Sequence, residues 1–110
     1  MNLTRLDDAV AFDPPGHHDV RPLWLQQGTD GTAITAALSH YLPGGGAEMA
    51  PVERDTVYVV LAGHLTVDSD GQTHTLGPLD SVSLSAGTAR SVENRTHLTA
   101  TMLVIRSATT

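Results

Sequence analysis

Two histidines and a tyrosine in strand-like segments are the side chains best suited to acid–base chemistry. His40 follows the apolar face of one segment and His74 that of another, so either could point into the interior. An imidazole titrates near neutral pH and can move a proton. The phenol of Tyr58 can donate a hydrogen bond or a proton to a developing oxyanion. A structural side chain with satisfied hydrogen bonds is the competing interpretation for all three.

The composition excludes several other kinds of chemistry and partner. The chain of 110 residues contains no cysteine, which excludes disulfides, thiolate catalysis and cysteine-based zinc sites. It has 6 basic and 12 acidic residues, a formal net charge of -6 and only 4% aromatic residues. Nucleic acids and anionic membranes reward clustered positive charge, and nucleic-acid bases also need stacking platforms. We therefore expect neither a nucleic acid nor a membrane as the partner.

The N-terminal residues predict the location of the protein. Residues 1–10 carry acids and no long apolar run, unlike a signal peptide. No segment approaches the roughly 20 apolar residues that a membrane-spanning helix needs. A cytoplasmic protein is expected, and the abundance of Ala, Gly and Thr without any lysine indicates a bacterial coding sequence.

Short apolar runs separated by turn residues predict an all-β fold. Strand-like runs recur about every eight to twelve residues, which is typical of an antiparallel sandwich or barrel. The predicted strands are residues 23–26, 32–42, 54–62, 64–67, 72–76, 81–84, 89–92 and 98–106. Asp-Gly turn signals lie at residues 29–31 and 69–71, and the Pro-Gly-Gly-Gly run at 43–46 is expected to end a strand in a sharp corner.

The length predicts one domain preceded by an arm. Residues 1–18 are polar or interrupted by Pro14, Pro15 and Gly16, so we expect an arm with at most a short strand around residues 9–12. His17 and His18 are interpreted as a polar loop pair in this arm. Residues 19–110 form the predicted barrel domain.

Two segments have the spacing of the two sequence motifs of the cupin family. The first begins at Gly44 and reaches Gly63 without a gap, and the second occupies residues 79–94 with Gly87 and Asn94 in their family positions. Residues 32–106 therefore resemble a small cupin. The resemblance implies a single-domain double-stranded β-helix, or jelly-roll barrel. It also implies a homodimer built through the N-terminal strand.

The positions that hold the family's metal ligands carry other residues in this chain. Two histidines, a glutamate and a third histidine are replaced by Ala50, Val52, Thr56 and Arg90. Alanine and valine have no donor atom, a threonine hydroxyl is a poor ligand, and a guanidinium stays protonated. We therefore predict no metal and no other cofactor. The alternative is a metal-dependent cupin enzyme with non-standard ligands, drawn from His40, His74, His97 and Glu53.

The resemblance places Arg90 inside the barrel, where the family holds its metal. Its planar fork of donors matches a carboxylate, phosphate or enolate, so Arg90 is the predicted anchor for a ligand. The competing interpretation is an ordinary ion pair with Glu53, Asp80 or Glu93, or a position at the pocket mouth. The other predicted ligand-binding residues are Thr56, Tyr58, His40, His74, Trp24, Met49, Val52 and Met102.

Two classes of function follow from this pocket. The first is a metal-independent cupin-like protein that binds a small anionic or carbonyl-bearing molecule in the barrel cavity. The second is a metal-independent isomerase, cyclase, epimerase or lyase. In that enzyme Arg90 would stabilise an enolate-like charge, and Tyr58 or His40 would move a proton.

Overall fold

The computed structural model describes residues 1–29 and 31–108, and it is built almost entirely of β-strands. A short 3-10 helix, Leu6–Asp8, precedes the strands. The strands are β1 (Val10–Ala11), β2 (His17–Gln26), β3 (Ile34–Pro51), β4 (Thr56–Ala62), β5 (Leu65–Ser69), β6 (Gln72–Leu76), β7 (Ser81–Leu84), β8 (Ala89–Glu93) and β9 (Ala100–Ser107). The predicted all-β class is confirmed. The turn predicted at residues 29–31 includes Asp30, and the predicted barrel domain includes Thr109 and Thr110; these three lie outside the described residues.

The strands form one nearly closed antiparallel barrel. Hydrogen-bonded neighbours follow the order β6-β5-β8-β3-β9-β4-β7, and β2 pairs with both β1 and β3. Strand β3 is central because it pairs with β2, β8 and β9. In the described part of the chain, no helix is long and apolar enough to cross a membrane.

Strand β3 is longer than the sequence pattern predicts because it continues through the glycines. The run at residues 43–46 was expected to end the strand, but β3 extends to Pro51. Gly44 bends the strand with a φ of 80°, which other residues rarely adopt. A Cβ atom at Gly45 would lie 2.3 Å from the carbonyl oxygen of Asp19, so the close approach of two backbones requires glycine there. At this corner β3 changes partner from β9 to β8.

The core lies inside the barrel and supports the inner faces of β4 and β9. Val60, Leu65, Val92 and Met102 are almost completely buried. Burial of each such side chain stabilises the fold by about 1.5–3 kcal/mol. Alternation along β4 turns Thr56, Tyr58 and Val60 inward, which positions polar groups directly beside this apolar core.

The N-terminal segment packs against the barrel. Strand β1 pairs with β2, and the ring of Phe12 stacks on Trp24 with 4.3 Å between the ring centroids. The backbone N–H of Glu48 donates to the carbonyl of Gly16 at 2.8 Å. Strand β2 already begins at His17, within the segment 1–18 that was predicted as the arm. The segment therefore adds side chains to the open end of the barrel.

Candidate functional site

A cavity of about 540 Å³ lies between the barrel and the N-terminal segment. Its walls come from the inner faces of β3, β4, β8 and β9, from β2 and from residues 12–17. This volume is in the range of small-molecule binding pockets, about 300–1,000 Å³. Seven of the predicted ligand-binding residues line it: Trp24, Met49, Val52, Thr56, Tyr58, Arg90 and Met102.

The four positions of the family's metal ligands meet at this cavity. Ala50, Val52, Thr56 and Arg90 all line it, and Ala50 and Arg90 are direct partners across β3 and β8. The hydroxyl of Thr56 donates to the carbonyl of Arg54 at 2.8 Å. These side chains supply neither an imidazole nor a carboxylate, so they do not fit the family's metal.

The alternative metal site does not form either. Among residues 1–29 and 31–108, no group of three or more His, Asp or Glu side chains could hold a metal ion. The candidate set of His40, His74, His97 and Glu53 is therefore not assembled in the fold.

Arg90 points into the cavity with only 9% of its surface exposed. Its Nε donates to the hydroxyl of Tyr58 at 2.8 Å, and its Nη1 donates to the carbonyl of Glu48 at 3.0 Å. Within the described ranges it forms no ion pair, so the competing interpretation, a pairing with Glu53, Asp80 or Glu93, does not hold. Its Nη2 donates to no described residue, which leaves this nitrogen for a ligand.

Tyr41 and His17 are two further titratable residues of the cavity, which the sequence pattern did not indicate. Burial and the nearby Tyr58 raise the pKa of the Tyr41 phenol, against the effect of Arg90. The Nδ1 of His17 lies 2.9 Å from the carbonyl oxygen of Pro15. Because a carbonyl only accepts, Nδ1 carries the proton and Nε2 is left as an acceptor.

Burial lowers the pKa of His17 from its ordinary value of 6.5. The Pro15 carbonyl and Asp13 oppose this shift, whereas Arg90 and His18 add to it. The unfolded chain therefore binds the proton more readily than the folded protein, and stability should fall as the pH falls from 6.5 through the folded-state pKa.

Urea unfolding between pH 7.5 and 5 checks this expectation. His17→Gln should flatten that part of the profile, whereas His97→Gln, at an exposed position outside the cavity, should preserve it. If stability depends on pH in His17→Gln as it does in the native protein, the pH dependence does not come from His17.

Glu48 and Glu53 are two acidic residues that line the cavity. Both residues are exposed, as expected for charged groups at a cavity mouth. The sequence pattern had suggested Glu53 only as a metal ligand or an ion-pair partner of Arg90, and it had not suggested Glu48. Glu48 lies two residues before Ala50, so the alternation of a strand through residues 48–52 is the signal that could have found it.

His40 and His74 lie outside this cavity, which corrects the predicted inward placement of both. In β3 the inner face is formed by Thr35, Ala37, Ser39 and Tyr41, so His40 is on the opposite face. Its Nδ1 lies 3.1 Å from the hydroxyl of Thr101. His74 is exposed on β6, with Nε2 3.1 Å from the Oε1 of Gln72. The apolar face of β3 was taken as the inner one, but the face of β3 that lines the cavity carries mostly small and polar residues.

The fold and the converging motif positions define a cupin, and comparison with known proteins agrees. The family model described as the cupin domain matches residues 37–106. The chain belongs to the cupin family.

Relatives and solved structures extend this comparison. The chain is 46% identical over 106 residues to a protein named beta-D-galactosidase Rv1717 from Mycobacterium tuberculosis, covering 94% of this chain and 91% of the relative. The polyketide cyclase RemF from Streptomyces resistomycificus has a TM-score of 0.85 and 19% identity, over 99% of this chain and 80% of that one. An RmlC-like cupin from Shewanella frigidimarina has a TM-score of 0.81 and 14% identity, over 99% and 92%. At these identities the two structures support the fold alone.

Proposed function

We propose that this cupin is a glycoside hydrolase that acts on β-D-galactosides in the cavity between the barrel and the N-terminal segment. The observation that carries the proposal is that two acidic residues, Glu48 and Glu53, line one cavity of small-molecule size. The relative named beta-D-galactosidase, 46% identical over nearly the whole chain, supports the choice of substrate.

Two carboxyl groups are the usual requirement for hydrolysis of a glycosidic bond. One, as the acid, protonates the oxygen of the leaving group, and the other attacks the anomeric carbon or activates a water molecule. The breaking bond leaves an alcohol and a free sugar. Glu48 and Glu53 supply these two groups in the proposed reaction, and none of its steps uses a metal ion.

The rest of the cavity suits a sugar ring. The stacked pair of Phe12 and Trp24 presents an apolar aromatic surface, which sugar C–H groups can cover. Hydroxyl groups can accept from Nη2 of Arg90 and from the Tyr41 phenol, and donate to Nε2 of His17. A few polar groups in an otherwise apolar pocket fix the orientation of the ligand.

Hydrolysis of a panel of nitrophenyl glycosides tests the proposed function. The β-D-galactoside should be cleaved faster than the α-D-galactoside and the β-D-glucoside, because the proposed site is specific for the configuration of the sugar. Cleavage should survive dialysis against a chelator, since the residues at the family's metal positions do not fit a metal. Absence of β-D-galactoside cleavage in freshly purified protein would contradict the proposal.

A second candidate function is supported by Arg90. This buried guanidinium has no acidic partner within the described residues and has a free Nη2, which favours a small anionic or carbonyl-bearing ligand. The protein would then be a metal-independent binding protein, or an isomerase, cyclase, epimerase or lyase in which Tyr58 moves a proton. His40 has no part in this mechanism because it lies on the other face of β3. The homodimer and the cytoplasmic location stay predictions.

Arg90→Met tests the second candidate. If the ligand is a carboxylate held by Arg90, affinity for the best acid in a ligand screen should fall by about tenfold or more, because a charge-assisted hydrogen bond is lost. Arg21→Met, at an exposed position, removes the same charge and should bind normally. Unchanged affinity in Arg90→Met would exclude the anchoring role.

A further inference from the structure

Arg106 is a second guanidinium on the cavity wall. It lies on β9 between two uncharged register partners, Thr35 on β3 and Thr56 on β4. With Met102 and Val104 it follows the inner face of β9. The sequence pattern indicated Arg106 only as the last residue of a strand.

Arg106 is partly buried, and one nitrogen of its guanidinium lacks the partner that a buried donor normally has. Its Nε is buried and has no hydrogen-bond partner among residues 1–29 and 31–108. In the described part of the chain its side chain forms no ion pair, although the protein contains 12 acidic residues. Buried charged donors are normally hydrogen-bonded or paired, so this arrangement fits a group that arrives with the ligand.

The acidic residues near Arg106 do not pair with its guanidinium. Arg106 also borders an open groove of about 420 Å³, where Asp55 is the acidic residue. The Oδ1 of Asp55 accepts from the backbone N–H of Ala86 at 2.9 Å and so is held by the turn after β7. Glu53 lies on the cavity wall but is exposed and forms no ion pair with Arg106.

We propose that Arg106 is an anion-binding subsite, at which the cavity holds a carboxylate, sulfate or phosphate group carried by an acidic galactoside. The planar fork of a guanidinium matches these oxyanions in two parallel hydrogen bonds. The sugar part of this ligand rests on the proposed function, whereas the anionic part rests on Arg106 itself. The substrate class becomes a charged β-D-galactoside rather than a neutral one.

Equilibrium binding of four sugars tests the subsite. Isothermal titration at low salt compares galactose with galacturonic acid, galactose 6-sulfate and galactose 6-phosphate. At least one acid should bind about tenfold or more tightly than galactose, and the tightest of the three identifies the anionic group. Arg106→Gln should abolish this difference and leave galactose binding unchanged. Arg21→Gln, which removes an exposed charge outside the cavity, should preserve it.

Two results would overturn the proposed subsite. Equal affinity for all four sugars in the native protein, or a preference for the acid that survives Arg106→Gln, overturns the subsite. If Arg106→Gln does not fold, Arg106→Lys keeps the charge without the fork and should lose most of the preference. If the protein hydrolyses β-D-galactosides but does not bind the acidic sugars more tightly than galactose, the subsite is refuted and the proposed function stands. Binding of an acid through Arg106 without hydrolysis refutes the proposed function alone.

Discussion

Glu48→Gln and Glu53→Gln are each expected to lower kcat/KM for β-D-galactoside hydrolysis by about 10²- to 10⁴-fold. This is the usual loss when a positioned acid or base is removed. Both side chains are exposed, so the free energy of unfolding should change by less than about 0.5 kcal/mol. Steady-state kinetics and urea unfolding of the same samples check the two statements together.

The matched control for these variants is Glu93→Gln. Glu93 is also exposed, but it pairs with Arg95 at 3.1 Å and does not line the cavity. Its replacement should leave kcat/KM within about twofold, as for a surface group that touches no substrate. Activity close to the native level in both Glu48→Gln and Glu53→Gln would show that the carboxylate pair is not the catalytic pair.

Asn94→Ala is expected to cost about 3–4 kcal/mol of unfolding free energy, the largest stability effect that the site's surroundings suggest. Asn94 is completely buried. Its Nδ2 donates to the carbonyls of Tyr41 and Leu98 at 2.9 and 2.8 Å, and its Oδ1 accepts from the N–H and hydroxyl of Thr96 at 2.9 and 2.7 Å. Alanine would remove these bonds and leave buried groups without partners.

Urea unfolding measures this loss, with Asn2→Ala as the control at an exposed position. The control should change stability by less than about 0.5 kcal/mol. Because Asn94 holds the backbone of Tyr41, the variant should also weaken ligand binding in the cavity. A loss below about 1 kcal/mol would mean that the corner of the barrel is held by other contacts.

The barrel was predictable because its corners depend on a few residues at fixed spacing. Gly63 has a φ of 74°, and a Cβ atom there would lie 2.9 Å from the Cα of Ala100. Asn94 is equally constrained by its four hydrogen bonds. Such requirements are local and appear in the sequence as a motif, and apolar alternation then identifies the strands between them.

The site was less predictable because its residues are brought together by contacts between distant segments. Phe12 and His17 reach the cavity only because the N-terminal segment packs across the barrel mouth. Glu48 was not predicted as a cavity residue because the run at residues 43–46 was expected to end the strand before it. The placement of His40 was wrong for a related reason: strand alternation identifies two faces, but it does not show which of the two lines the cavity.

A crystal structure of the double variant Glu48→Gln, Glu53→Gln with a bound β-D-galactoside tests the central claim most directly. The sugar ring should occupy the cavity, against Trp24 and within hydrogen-bonding distance of Arg90, with the glycosidic oxygen between the two replaced side chains. A galactoside bound elsewhere on the protein would contradict the account. So would a metal ion coordinated inside the cavity of the native protein.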